Sequence, residues 1–181
     1  MSEGGAGQVP RLADEIVVLD AFTLEDVDVH LAGEDDEHAR RFGWYPEHST
    51  EATVRAAFAG WVEGWRGGGP ARAFAVRKRN SGDLVGGCEI RTGEGRAAEV
   101  SYWTFPQYRR RGYASHALVL LSDFAFRQLG VDRIEAQVEP DNEASRRVVE
   151  SVGFIEERTI TEADHTVSGD PRDMILYSLT R

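Results

Sequence analysis

Between Arg72 and Phe105 the chain runs through three strand-like stretches separated only by turns, and few folds accommodate that. "RAFAVRKR" alternates, "NSGD" supplies turn chemistry, and "LVGGCEI" is the return run. A further loop, "RTGEGR", leads into "AAEVSYWTF". Strands joined by such short links run antiparallel, because a parallel neighbour needs a crossover of about a dozen residues or more. In the third run Ala98, Val100, Tyr102 and Thr104 share one face, and Glu99, Ser101, Trp103 and Phe105 the other, since strand side chains alternate. Whatever else the chain builds must extend this ladder or cover it.

The flanks supply both. "EIVVLDAF" (15–22) is a β-branched run that predicts a strand. "TLEDVDVHL" opens with Thr23 and carries Asp26 three residues later, close to a capping box, which starts a helix. "GEDDE" (33–37) breaks it. A second helix begins at Ser49 or Thr50 and carries Val54, Phe58, Trp61 and Trp65 at helical spacing until "GGGP" ends it. After the ladder come a helix ending at Gly130, the strand "RIEAQV", a short helix "NEASRRVVESVG", and two closing strands, "FIEERTI" and "DMILYSL". The class is α/β of the α+β kind: a mostly antiparallel twisted sheet of about seven strands flanked by about four helices. At 181 residues, without repeats or an internal boundary, the chain reads as one domain over residues 14–181. Residues 1–13, Gly-rich at their start, read as a disordered tail.

Composition excludes several classes of function. The 31 acidic against 21 basic residues give a net charge of -10, which argues against a sequence-independent grip on nucleic acid. That balance serves solubility and also suits a cationic partner. Cys88, the only cysteine, cannot form an intramolecular disulfide, consistent with a cytoplasmic protein, and reads as a small core residue. The five histidines show no ligand spacing, so no metal is expected. No apolar run approaches the roughly 18 residues of a membrane span.

Against that acidic background stands "FPQYRRRGYAS" (105–115), with Arg109, Arg110 and Arg111 side by side and Gly112 after them. A strand, an Arg-rich turn, a glycine and a helix are the layout of an anion site. The first N–H groups of a helix lack intrahelical partners and carry partial positive charge. A phosphate can accept several of them if the backbone can approach, and Gly112 and Ala114 keep side-chain bulk away. The alternative is an ordinary basic turn. Neither a Walker A loop nor a three-glycine dinucleotide fingerprint is present.

Arg109-x-x-Gly112-x-Ala114 fits the Gln/Arg-x-x-Gly-x-Gly/Ala signature of the GNAT superfamily of N-acetyltransferases. Asn142, Ser145, Gly153 and Phe154, within "NEASRRVVESVGF", resemble that family's second motif. With the order of elements, the resemblance covers roughly residues 15–180 and looks closest to the RimJ/RimL-like branch. It implies acetyl-CoA as cosubstrate and direct transfer of the acetyl group to a primary amine, on a protein N-terminus or a small molecule. The alternative is a catalytically weak CoA-binding or regulatory module of the same fold. The pyrophosphate would sit on the N–H groups from Arg110 through Arg111, Gly112, Tyr113 and Ala114 to Ser115. The pantetheine arm would pair with the strand edge at Trp103, Thr104 and Phe105, and Asn142 would hold it near the thioester. A backbone N–H near Trp103 or Thr104 would stabilise the oxyanion.

Many relatives carry a tyrosine acid seven residues after the motif asparagine, where this chain has Val149. The resemblance makes Ser145 its substitute, although a serine there also caps its own helix. Glu99 is the first choice of base and Glu89 the second, and either is equally a solvent-facing strand residue. The acceptor would lie among the N-terminal helices, where the acids Glu34 to Glu37 and the aromatics Trp44, Tyr45, Trp61 and Trp65 suit a cationic amine. The same residues also read as a solvated helix end and as core. No nucleic acid or membrane partner is expected, and the chain would be a monomer or homodimer.

Overall fold

The structure, a computed structural model, describes residues 8–42, 46–93, 95–166 and 169–181. Its strands are β1 (Leu12–Ala13), β2 (Val17–Asp20), β3 (Ala71–Lys78), β4 (Leu84–Thr92), β5 (Ala97–Thr104), β6 (Arg133–Val138), β7 (Ile155–His165) and β8 (Pro171–Thr180). They form one sheet in the order β1-β2-β3-β4-β5-β6-β8-β7. The ladder of β3, β4 and β5 is antiparallel with consecutive neighbours, as its turns require. β5 and β6 are the parallel pair, and the chain crosses between them through a helix. The sheet has eight strands rather than seven. The extra one, β1, falls within the stretch read as a tail: Leu12 and Ala13 already pair with Leu19 and Val18.

Among the described residues five α-helices accompany it: α1 (Val27–Gly33), α2 (Asp36–Arg41), α3 (Glu51–Arg66), α4 (Tyr113–Phe124) and α5 (Glu143–Val152). α2 is the one not expected. The acidic run that ends α1 also begins α2, because Asp35 in extended conformation accepts the His38 N–H at 2.8 Å, and Asp36 and Glu37 complement the first turn. Thr50 caps α3 in the same manner.

Alternation along β3 divides the core. Phe74 and Val76 join Cys88, Ile90, Leu118, Leu121, Val149 and Tyr177 beneath α4 and α5. Ala73 and Ala75 join Phe22, Val27, Val54, Phe58 and Phe105 beneath α1 and α3. With both faces covered, the middle of β3 and most of β4 are buried, while Glu99 and Ser101 on β5 stay exposed. The second layer is held to the sheet by Arg77 near the end of β3, which forks onto Asp26 at 2.8 and 2.7 Å and reaches Asp20 at 2.7 Å.

The Trp103 ring on β5 lies directly over a glycine of β4. A Cβ at Gly87 would sit 2.2 Å from that ring and 2.8 Å from the ring of Phe22. Gly87→Ala is therefore expected to displace the Trp103 indole and to cost about 1–3 kcal/mol. A chemical-denaturation midpoint and Trp fluorescence report both effects, and an unaltered midpoint would refute the packing.

Candidate active site

β5 stays beside β6 only from Ala97 to Glu99, opposite Arg133 to Glu135. Beyond Glu99 the two strands diverge. β5 keeps its antiparallel partner β4 as far as Thr104, so one edge is paired and the other is open. The Phe105 N–H donates to Val85 O at 2.9 Å, and alternation then turns the main-chain groups of Trp103 toward β4 and those of Tyr102 and Thr104 toward the opening. This corrects two expectations: the main-chain groups of Trp103 face β4 rather than a ligand, and Phe105 is not available to one either. Its N–H is taken, its carbonyl accepts from Tyr108 N–H, and its ring is buried against α1. A Cβ at Gly33 would lie 2.5 Å from that ring.

The opening leads into a cleft of about 740 Å³ lined by Tyr102, Trp103 and Thr104 on β5, by residues 109–115, and by Asn142 and Ser145 on α5. Every cofactor residue expected from the sequence lines it except Phe105. Gly112, the α4 N-cap, has φ +81°, and Arg110 is also left-handed at +59°. The first helical bond runs from His116 N–H to Gly112 O, which leaves the N–H groups of Tyr113, Ala114 and Ser115 without an intrahelical acceptor. The Ser115 hydroxyl lies 3.0 Å from that of Ser151 on α5, joining the two helices at the cleft wall.

The three adjacent arginines divide their work. Arg109 turns away from the helix start: it donates to Glu37 at 2.7 Å, to Asp35 at 3.0 Å and to Thr104 O at 3.1 Å. Part of the acidic run thus neutralises Arg109, while Asp36 pairs with His48 at 3.0 Å. Burial alone would raise the Asp35 carboxyl, but the His38 N–H and Arg109 hold it below the ordinary range. Arg110 and Arg111 are exposed and, among the described residues, have no carboxylate partner. These two carry the positive charge at the cleft mouth, and Arg109 clamps α2 to the end of β5.

Asn142 caps α5, its Oδ1 accepting the Ser145 N–H at 3.1 Å, and Nδ2 has no acceptor among the described residues. Val149 is fully buried in the core, so α5 presents no phenol where relatives carry one. A phenol comes from elsewhere: Tyr102 Oη lies 2.7 Å from Ser145 Oγ. Sequence reasoning places Tyr102 on one face of β5 with Ala98 and Val100 and gives it no role.

On the other face of β5 lies a second cavity of about 620 Å³. Trp61, Trp103, Phe58 and Phe42 contribute aromatic walls, His30 and His38 close one end, and Glu47, Glu89, Glu99 and Arg91 are its charged members. Burial, reinforced by His30, pulls the His38 imidazole down to about 4, so it is neutral at pH 7. Glu99 reaches solvent, but the concave walls remove part of its hydration, which raises its carboxyl. Arg91 opposes that rise, and Glu135 and Glu89 add to it. Glu89 is paired to Arg91 at 2.9 Å. Trp65 belongs to the core instead, with Nε1 on Ala73 O at 2.9 Å and its ring against Phe74 and Phe124. The acids at 34–37 are occupied by caps and ion pairs and lie outside this cavity, except that Glu37 lines the neighbouring cleft. Trp44 and Tyr45 lie outside the described residues. Cys88 is fully buried and its thiol is pushed up by desolvation and by Glu89. Among the described residues no group of side chains could hold a metal, and no helix is long and apolar enough to cross a membrane.

A divergent strand pair, a cleft with a helix start in its wall and a carboxylate-bearing pocket on the other face of β5 are the parts an acyl-transfer site needs. Residues 17–155 match the family described as the acetyltransferase (GNAT) domain, and the chain belongs to that family of N-acetyltransferases. It is 28% identical over 177 residues to YoaA of Bacillus subtilis (strain 168), named as an uncharacterised N-acetyltransferase, a match covering 95% of this chain and 97% of that one. Among solved structures, Mycobacterium smegmatis RimJ in complex with a CoA disulfide superposes with a TM-score of 0.80 at 24% identity, covering 99% of this chain and 90% of RimJ. The ribosomal-protein-S5-alanine acetyltransferase of Vibrio fischeri gives 0.77 at 23% identity, covering 94% and 96% of the two chains. Both are likenesses of fold.

Proposed function

We propose that the protein transfers an acetyl group from acetyl-CoA directly to a primary amine, carried by a protein N-terminus or a small molecule. The observation that carries this reading is the parting of β5 from β6 after Glu99, with the helix-start cleft and the pocket holding Glu99 sharing His38, Phe42 and Trp103 as walls. The pyrophosphate rests on the free N–H groups at the start of α4, beside Arg110 and Arg111. The pantetheine amides take up the open main-chain groups of Tyr102 and the Thr104 N–H as an added strand would, the Thr104 carbonyl being held by Arg109, and Asn142 Nδ2 donates to the arm. The reacting carbon then lies near Ser145 on one side and the acceptor pocket on the other, so that positioning supplies much of the rate.

The acceptor pocket suits an amine. Its aromatic walls and three carboxylates attract a cation, and Glu99, with a carboxyl above its ordinary 4.5, is the better placed base because its affinity for a proton is closer to the working pH. Glu89 is committed to Arg91 and ranks behind it. Glu99→Gln is expected to lower kcat/KM for the amine by about 100-fold and to remove an acid limb lying above pH 4.5 from its pH profile. An unaltered acid limb would take Glu99 out of the reaction. The transfer itself is tested by following CoA thiol release across a panel of amines. Release that depends on the amine supports transfer, and release that ignores it leaves a CoA-binding module.

A further inference from the structure

We infer that Tyr102 is a positioning residue which, through Ser145, directs a hydrogen bond onto the sulfur that leaves during acetyl transfer. The inference rests on the acetyl-CoA reading above and gives a role to a residue for which the sequence reading had none. Tyr102 Oη approaches Ser145 Oγ at 2.7 Å and the Ser145 carbonyl at 3.1 Å. Both residues line the space where β5 and β6 diverge. Ser145 is itself fixed, its N–H held by Asn142 Oδ1.

The hydrogen count gives the pair two settings, because each hydroxyl owns one proton. If Tyr102 donates to the Ser145 carbonyl, the serine proton turns back to the phenol. If Tyr102 donates to Ser145 Oγ, the serine proton is free to point into the cleft. Negative charge in the cleft selects the second setting. Burial, partly offset by the bond from Ser145, pushes the phenol up to about 12, so Tyr102 stays protonated at working pH and keeps a proton to donate. A thiol titrates near 8.5, well below such a phenol, so the pair lends a hydrogen bond and not a proton. As the C–N bond forms, the C–S bond breaks and its electron pair stays on sulfur. The amine proton goes to Glu99 or water, and the thiolate takes a proton from solvent on release. A third cavity, of about 370 Å³, lies where the strands part, and Arg41, the cation lining it, is already paired with Glu139 at 2.5 Å and Asp141 at 2.7 Å. Glu139 and Asp164, the acids there besides Glu99, are bound by Arg172.

The test is the ionisation of the thiol of bound CoA, followed by thiolate absorbance in the wild type, Tyr102→Phe and Ser145→Ala. Cys88, buried with its thiol raised, adds no signal over the working range. The bound thiol should titrate about one unit higher in Tyr102→Phe than in the wild type. Its kcat should fall by about 10- to 100-fold with KM for acetyl-CoA little changed. Ser145→Ala should match it, the double variant should lose no more than either single one, and Ser145→Thr should restore the rate. An unshifted thiol in a Tyr102→Phe protein that still binds CoA overturns the pair. Failure of the wild type to bind CoA would instead overturn the cosubstrate reading.

Discussion

A Gly112→Asp protein is expected to lose acetyl-CoA affinity by about 100-fold or more, near 2.7 kcal/mol, while melting within about 3 °C of the wild type. The two halves of that result have different causes. Gly112 sits at φ +81°, where a Cβ costs about 1–2 kcal/mol. Asp tolerates this region better than most residues, and a carboxylate at a helix start returns about 0.3–1 kcal/mol. No packing clash adds to the cost, since the nearest atom to a Cβ there is on His116 at 3.7 Å. The fold should therefore hold. The ligand should not, because the new carboxylate competes for the Tyr113, Ala114 and Ser115 N–H groups and repels a pyrophosphate approaching them. Gly112→Ala separates strain from charge and should keep binding within about tenfold. Calorimetric titration of acetyl-CoA into the three proteins decides it, and an Asp variant that binds like the wild type would move the pyrophosphate off the start of α4.

Legibility in the sequence was a matter of range. The β3–β5 ladder, the α4 start and the α5 cap are written in residues a few positions apart, where alternation and capping act. α2 was illegible because its six residues are too short for a periodic signal, and its acids read as a break. β1, with two residues, was hidden for the same reason. Arg109 was assigned to the ligand because its true partners, Asp35 and Glu37, lie more than 70 residues earlier. Tyr102 has no role in the sequence reading because alternation says which residues share a face of β5 and not where β6 leaves it, which happens after Glu99. The available signal was a tyrosine on the same face as Ala98 and Val100, in a chain with Val149 where relatives carry the acid.

Arg77→Ala is expected to destabilise the protein by about 3–5 kcal/mol, because removing one member of a buried ion pair leaves the other charged and unpaired. For a chain of this size that lowers the melting temperature by roughly 10 °C. The Asp26 side chain is only 8% exposed, and Arg77 supplies both of its guanidinium bonds while Thr23 adds an N–H at 2.8 Å and a hydroxyl at 3.1 Å. Burial by itself would raise the Asp26 carboxyl, yet these donors hold it below its ordinary 3.8. In the wild type the unfolded chain therefore binds the proton more readily. This contribution is full above pH 3.8 and is lost as pH falls through the lower folded value. Without Arg77 the desolvation remains and its counterweight does not, so the carboxyl moves above 3.8 and its penalty grows as pH rises. The stability gap between wild type and variant should thus narrow below about pH 4, as measured by denaturant midpoints across pH. A gap independent of pH would mean that Arg77 acts by packing alone. The consequence reaches the acceptor pocket, because Asp26 immediately precedes α1, and α1 carries His30 of the pocket wall and Gly33 beneath Phe105. Loss of amine turnover in Arg77→Ala should accordingly exceed its loss of CoA binding, since the start of α4 packs against the opposite layer.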